Sequence, residues 1–141
     1  MREIIFRGKR VKPVTLVSRW IFGNYVFKAD NSLPGLSKHF IAVHDGFGVS
    51  QWIEVEPDTV GQYTGLKDKN GQRIFEGDIV DHYYQKGFFN RGVVMWDSQN
   101  ARFAHELRSM SPAFFMHNPE AWEIIGNIHD NPEFMKEDSN A

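Results

Sequence analysis

The chain has 141 residues and a formal charge of −2, a length that fits one domain or two small ones. Hydrophobic residues make up 41% and aromatic residues 14%, enough apolar surface for a core; cysteine is absent, which excludes a disulfide framework and cysteine-ligated zinc. The near-neutral charge is no global nucleic-acid footprint, and no segment reaches the ~20 apolar residues that a membrane-spanning helix needs.

From the N-terminus, Glu3 to Arg7 alternates like a strand, with Ile4 and Phe6 on one face, and lacks the apolar run of a signal peptide. Arg2, Arg7, Lys9, Arg10, Lys12 and Arg19 cluster here, while Glu133, Glu137 and Asp138 gather near the other end. Two readings of the basic cluster stand side by side: a strand edge protected by cations, or a phosphate-facing surface. Thr15 to Val17 and Trp20 to Phe22 look extended, and Gly23-Asn24 reads as a tight hairpin turn into Tyr25-Val26-Phe27. Asp30-Asn31-Ser32 and Leu33-Pro34-Gly35 are loop material. Phe40 to Val43 and Val49 to Val55 are strand candidates around a turn at Asp45-Gly46.

A soft boundary follows Pro57, giving an N-terminal β subdomain over 1–57 and a second subdomain over 58–141. Asp58 is placed to cap one helical or 3₁₀ turn. Asn70-Gly71 is a strong turn, and Glu76-Gly77-Asp78 is another, leading into a strand from Ile79 to Tyr84. Gly92 to Trp96 is the clearest strand, turned by Asp97 to Asn100 into Ala101 to Leu107. Ser109 to Pro119 is irregular, Trp122 to Ile128 is the last strand, and Asn131-Pro132-Glu133 opens a short C-terminal helix with Asn131 as cap. The tail from Glu137 to Ala141 reads as frayed. Short strands punctuated at close intervals make the fold mainly β, a barrel or sandwich rather than βαβ units.

The stretch Thr59-Val60-Gly61-Gln62-Tyr63-Thr64-Gly65-Leu66-Lys67-Asp68-Lys69-Asn70-Gly71, followed by Ile74-Phe75-Glu76-Gly77-Asp78-Ile79-Val80, resembles the signature of the YopX family of bacteriophage and prophage proteins. Arg2-Glu3-Ile4 with Phe6-Arg7-Gly8, Trp20-Ile21-Phe22-Gly23, and Glu123-Ile124-Ile125-Gly126-Asn127-Ile128 with Asn131-Pro132-Glu133 match the family in order. The stretch from Lys28 to Gly48 departs from the pattern. The resemblance implies a mainly β fold with an SH3-like barrel in its C-terminal part, a phage or prophage origin, and a bacterial cytoplasm as location. It implies no catalytic residues.

The residues themselves offer little chemistry. His39, His44, His82, His105, His117 and His129 have no helical ligand spacing, and His44-Asp45, Asp81-His82 and His129-Asp130 would point to opposite faces of a strand. Glu76 and Asp78 sit close together, but a turn carboxylate that bonds backbone N–H groups explains Asp78 without catalysis. Gly61, Gly65, Gly71 and Gly77 lack the Gly-Lys-Ser/Thr step of a phosphate loop. No metal, cofactor or catalytic residue is expected. Trp20, Trp52, Trp96 and Trp122 are expected in the core or an interface.

Tyr83, Tyr84, Phe88 and Phe89 surround Gln85-Lys86-Gly87. Exposed on a hairpin beside Lys86 and Arg91, these rings would anchor a partner or stack bases; packed, they would close a barrel end or a subunit contact. The first expectation is a non-enzymatic accessory protein that binds another protein and forms a homo-oligomer. The alternatives are a nucleic-acid-binding module and a small enzyme.

Overall fold

β-Branched and aromatic residues recur with period two between Gly, Asn and Asp punctuation, and strands form accordingly. The computed structural model describes residues 3–14, 18–29, 35, 37–48, 50–107, 113–114 and 119–136. The chain divides into two units, Met1–Tyr63 and Thr64–Ala141.

The first unit contains β1 (Phe6–Lys9), β2 (Trp20–Lys28), β3 (Lys38–His44), β4 (Ser50–Glu54), a 3₁₀ turn (Pro57–Thr59) and the start of β5 (Gly61–Lys67). Its strands are antiparallel in the order β4-β3-β2-β1-β5. Ile21, Ile41 and Val55 are buried together, with Phe6, Val43, Ile53 and Val60 packed on them.

The expected turn at Gly23-Asn24 does not exist. β2 runs unbroken for nine residues and changes partner there: Trp20 to Gly23 pair with β1, and Asn24 to Lys28 pair with β3. A Cβ on Gly23 would lie 2.2 Å from the Ala42 carbonyl oxygen, so this glycine permits a close strand approach rather than a reversal.

The first strand starts three residues later than expected, leaving Ile4 exposed before it. Glu56, not Asp58, holds the cap position of the 3₁₀ turn, and it makes no side-chain cap bond. Thr59 fastens this turn instead: its Oγ1 accepts the Lys9 N–H at 2.8 Å and donates to the Glu56 carbonyl at 2.6 Å. The turn at Asp45-Gly46 is present, with the Phe47 N–H donating to Asp45 Oδ1 at 2.7 Å. Thr15 to Val17, Asp30 to Pro34 and the tail from Glu137 lie outside the described residues.

The second unit contains the rest of β5, then β6 (Arg73–Phe75), β7 (Asp78–Gln85), β8 (Phe88–Asp97), β9 (Arg102–Leu107), β10 (Ala113–Phe114), a 3₁₀ turn (Pro119–Ala121), β11 (Trp122–Asn127) and a final 3₁₀ turn (Pro132–Met135). Five strands form an antiparallel sheet in the order β10-β9-β8-β7-β11. No ladder joins β10 to β11 among the described residues, so the sheet does not close into a barrel there. The expected C-terminal helix is only the four-residue 3₁₀ turn. Asn131 makes no side-chain cap bond; its Oδ1 accepts the Asn127 N–H at 3.3 Å instead, folding the end of β11 back on itself.

Ile74, Val80, Val94 and Trp122 are buried as one cluster, with Ala121 and Ile124 against it. His105 is buried beside them and bonds the Val80 carbonyl through Nε2 at 2.7 Å. A carbonyl only accepts, so Nε2 carries the proton. Burial is the main cause that holds His105 below its ordinary value of 6.5.

The neutral ring therefore fits the fold, and the unfolded chain takes up the proton first as pH falls. Stability is expected to be level above about pH 6.5 and to fall below it, by at most about 1.4 kcal/mol per pH unit for this group. Urea midpoints at pH 7.5 and 5.5 check this. Equal midpoints, or a higher one at the lower pH, would contradict it.

Candidate functional site

Two of the described turns set up the region around β7. Gly77, at a φ of 90°, reverses the chain after β6, and Asp78 Oδ2 accepts the Phe75 N–H at 2.8 Å. Asp78 is thus a structural carboxylate at the strand entry, as its turn position indicates. At the far end of β7, Lys86-Gly87 turns the chain into β8, with Gly87 at a φ of 84°.

The β7–β8 hairpin brings the aromatic residues together. Tyr83 pairs with Phe89 and Gln85 with Phe88, so the register shifts at Tyr84, the extra residue of a bulge. The Tyr83 and Phe89 rings tilt against each other at 5.6 Å, and Tyr84 and Phe88 at 6.3 Å. Tyr84 is 52% exposed, Phe88 57% and Phe89 45%, while Tyr83 is half-buried. Lys86 sits exposed at the turn between them.

Arg91 lies lower on the hairpin and has a different role. Its Nε and Nη2 donate to Asp81 Oδ1 and Oδ2 at 2.8 and 3.1 Å, directly across the ladder. Asp81 is buried, and its bonds to Arg91 are the first cause that raises the guanidinium further above its ordinary value. The guanidinium also lies over the Phe89 ring at 5.5 Å and the Phe134 ring at 5.8 Å.

On the neighbouring strand, Glu123 pairs with Asp81 in register and holds Lys69, whose ammonium lies 5.3 Å from the Tyr83 ring. The bond to Glu123 is the main reason that Lys69 is raised above its ordinary value. Four charges thus compensate one another under the aromatic tip, and Arg91 orients the hairpin rather than presenting an open cation.

Replacing Asp81 with asparagine keeps the shape and removes the charge. The expected cost is about 2 kcal/mol, below the range of a fully buried pair because Arg91 is partly solvated. A denaturation midpoint measures it; an unchanged midpoint would show that the pair holds nothing.

The histidines do not converge. His39 Nδ1 bonds the Tyr25 hydroxyl at 2.6 Å, and His44 Nε2 bonds Asn24 Nδ2 at 3.2 Å. His82 and His105 both lie against Trp122, the first stacked at 4.3 Å and the second edge-on at 4.9 Å. Burial lowers His82 as it does His105. His117 lies outside the described residues. Among the described residues no three His, Asp or Glu side chains are grouped to hold a metal ion, and no helix is long and apolar enough to cross a membrane. Of the four tryptophans only Trp122 is buried; Trp20 is half-buried, and Trp52 and Trp96 are exposed.

The stretch from Thr59 to Val80 holds turns together. Thr64 Oγ1 donates to the Ile74 carbonyl at 2.8 Å. Asp68 Oδ1 accepts the Asn70 and Gln72 N–H groups at 2.9 and 3.0 Å, and its Oδ2 accepts the Ile124 N–H at 3.1 Å. Cross-strand partners such as Asp81 and Glu123 had no signal in linear spacing, since the pairing depends on a bulged register.

Comparison with curated proteins finds no match. A family model described as YopX protein matches residues 26–136, a span that runs through 28–48 and begins after the motifs at Arg2 and Trp20. The crystal structure of protein EF1440 from Enterococcus faecalis is similar over 96% of this chain and 100% of that chain, at 25% identity and a TM-score of 0.53.

Proposed function

From the premise that the chain belongs to the YopX family, we propose that it is a non-enzymatic phage or prophage accessory protein that binds another protein through the tip of the β7–β8 hairpin. The observation that carries this reading is the exposure of Tyr84, Phe88 and Phe89 on one hairpin. Aromatic side chains give large contact area at low entropy cost and are enriched at interfaces. Lys86 at the turn adds one cation to the rim. Tyr83 and Arg91 support the tip from below, through the Phe89 contact and the Asp81 pair.

The order β10-β9-β8-β7-β11, with a 3₁₀ turn before the last strand, supports an SH3-like reading of the second unit. A bacterial cytoplasm as location and self-association as a homo-oligomer belong to the same proposal.

The test compares the wild-type chain with a Tyr84→Ala, Phe88→Ala, Phe89→Ala variant as bait in host lysate. The three side chains are about half exposed and Phe89 packs on Tyr83 and Arg91, so the melting temperature should fall modestly with the cooperative transition retained. The variant is expected to lose the captured partner, with affinity reduced at least about 30-fold for a loss of 2 kcal/mol or more. Equal capture by both chains would sink the proposal.

A further inference from the structure

β4 is the outer strand of its sheet, and one end of its edge is already covered. The Val55 N–H donates to the His39 carbonyl, so residues 55, 53 and 51 turn their backbone groups towards β3, and residues 54, 52 and 50 turn theirs outward. The Val11 N–H donates to the Glu54 carbonyl at 3.1 Å, and Arg10 bridges Val55, so the chain beyond β1 covers that end. In this register the next residue to reach the edge is Pro13, opposite Trp52, and proline has no N–H to give. The cover stops there, which leaves Ser50 to Trp52 as the open edge among the described residues.

Edges are usually blunted by lysine, proline or a bulge. Ser50, Gln51 and Trp52 carry no charge, and their pairing with β3 runs without a register shift. Trp52 stands 53% exposed and is backed by the Phe40 ring at 5.8 Å. Just before β4, Gly48 at a φ of 86° bends the chain out of extended geometry, and Phe47 beside it is 91% exposed. Val11, at the covered end of the edge, is a second exposed apolar side chain.

We infer that this edge pairs with the same edge of a second copy, β4 against β4, antiparallel about a two-fold axis at Gln51. Length and register select this occupant. About that axis Ser50 of one copy lies opposite Trp52 of the other, and the two residues exchange their outward N–H and C=O groups. The small Ser50 side chain faces the indole and leaves room for it. The pairing ends before Glu54, because Val11 already occupies the place beside it. The strand of the second copy ends at the matching point, where Gly48 leads it away and sets Phe47 beside Val11 of the first. Glu54, the nearest charge on the strand, then comes opposite Gly48 and meets no like charge there. An extended peptide of another protein would gain the same backbone bonds, but a second copy also brings the Phe47 that meets Val11. The contact rests on the self-association proposed above and uses a surface separate from the hairpin tip.

Sedimentation equilibrium of the full chain reads the contact. A short edge gives a weak dimer, with a dissociation constant on the order of 100 µM, so the chain should be mostly dimer at about 500 µM and monomer at about 5 µM. Gln51→Lys changes a side chain that is exposed in the monomer and sets two ammonium groups face to face across the axis, which should weaken the dimer at least about fivefold. Gln51→Glu should do the same, and an equimolar mixture of the two variants should dimerise at least as well as wild type. That rescue separates a loss at the edge from a loss of folding. The Tyr84→Ala, Phe88→Ala, Phe89→Ala chain should dimerise as wild type does, so failure of the edge and failure of the hairpin reading are distinguishable. A monomer at about 500 µM, a dimer that Gln51→Lys leaves intact, a mixture that does not associate, or a dimer lost in the hairpin variant would each overturn the inference.

Discussion

Asp68→Ala is expected to cost about 3–5 kcal/mol, although residue 68 lies in a polar turn that looks tolerant of change. The carboxylate is almost fully buried and accepts three backbone N–H groups, from Asn70, Gln72 and Ile124. Two of these bonds close the Asn70-Gly71 turn, and the third ties that turn to the outer edge of β11. A second tie runs beside it, from the Lys69 N–H to the Trp122 carbonyl at 2.9 Å. Alanine leaves the donors without their charged acceptor and opens the β11 edge that Asp68 and Lys69 cover. Asp68→Asn should recover part of the loss, since its amide oxygen still accepts. Urea midpoints of both variants measure this; an Asp68→Ala chain within 1 kcal/mol of wild type would remove Asp68 from the architecture.

Gly23→Ala is expected to cost more than about 3 kcal/mol, beyond the usual range for overpacking. The contact that an added Cβ would make is with the backbone oxygen of Ala42, at 2.2 Å, and backbone cannot swing aside as a side chain can. Relief requires β2 and β3 to part where β2 changes partner, which disturbs both ladders. Thermal melting checks this. A Gly23→Ala chain that melts like wild type would mean that the strands are not so close. If Gly23 were a hairpin turn residue instead, alanine would strain one local turn and leave the ladders alone.

Gly23 also marks where sequence reasoning stopped. A Gly-Asn pair between apolar runs signals a hairpin, and the same pattern arises when glycine is selected for the space that it leaves empty. The partner that needs the space, Ala42, is nineteen residues away and invisible to local pattern. Other turns were legible because their chemistry is local: Asp45 to Phe47, Asp68 to Gln72 and Phe75 to Asp78 all close within a few residues.

Asn-Pro-Glu is a good helix start, yet only a 3₁₀ turn forms because Asn131 spends its side chain on Asn127. On the hairpin, the cluster of four rings was legible from their order around Lys86-Gly87. What the order could not convey is that Arg91 is held by a buried aspartate and lies against Phe89 and Phe134. Likewise the basic N-terminal cluster was visible as composition. Its interleaving with Trp20 and Phe22 depends on the β1–β2 register.

On the proposed function, Thr59 to Val80 builds the fold and the β7–β8 tip meets the partner. Peptide-resolved amide hydrogen exchange on the chain, alone and with its captured partner, tests this most directly. New protection is expected only in the peptide containing Tyr83 to Phe89, with Thr59 to Val80 equally protected in both states. Protection that instead appears across Thr59 to Val80 and leaves the hairpin unchanged would contradict it.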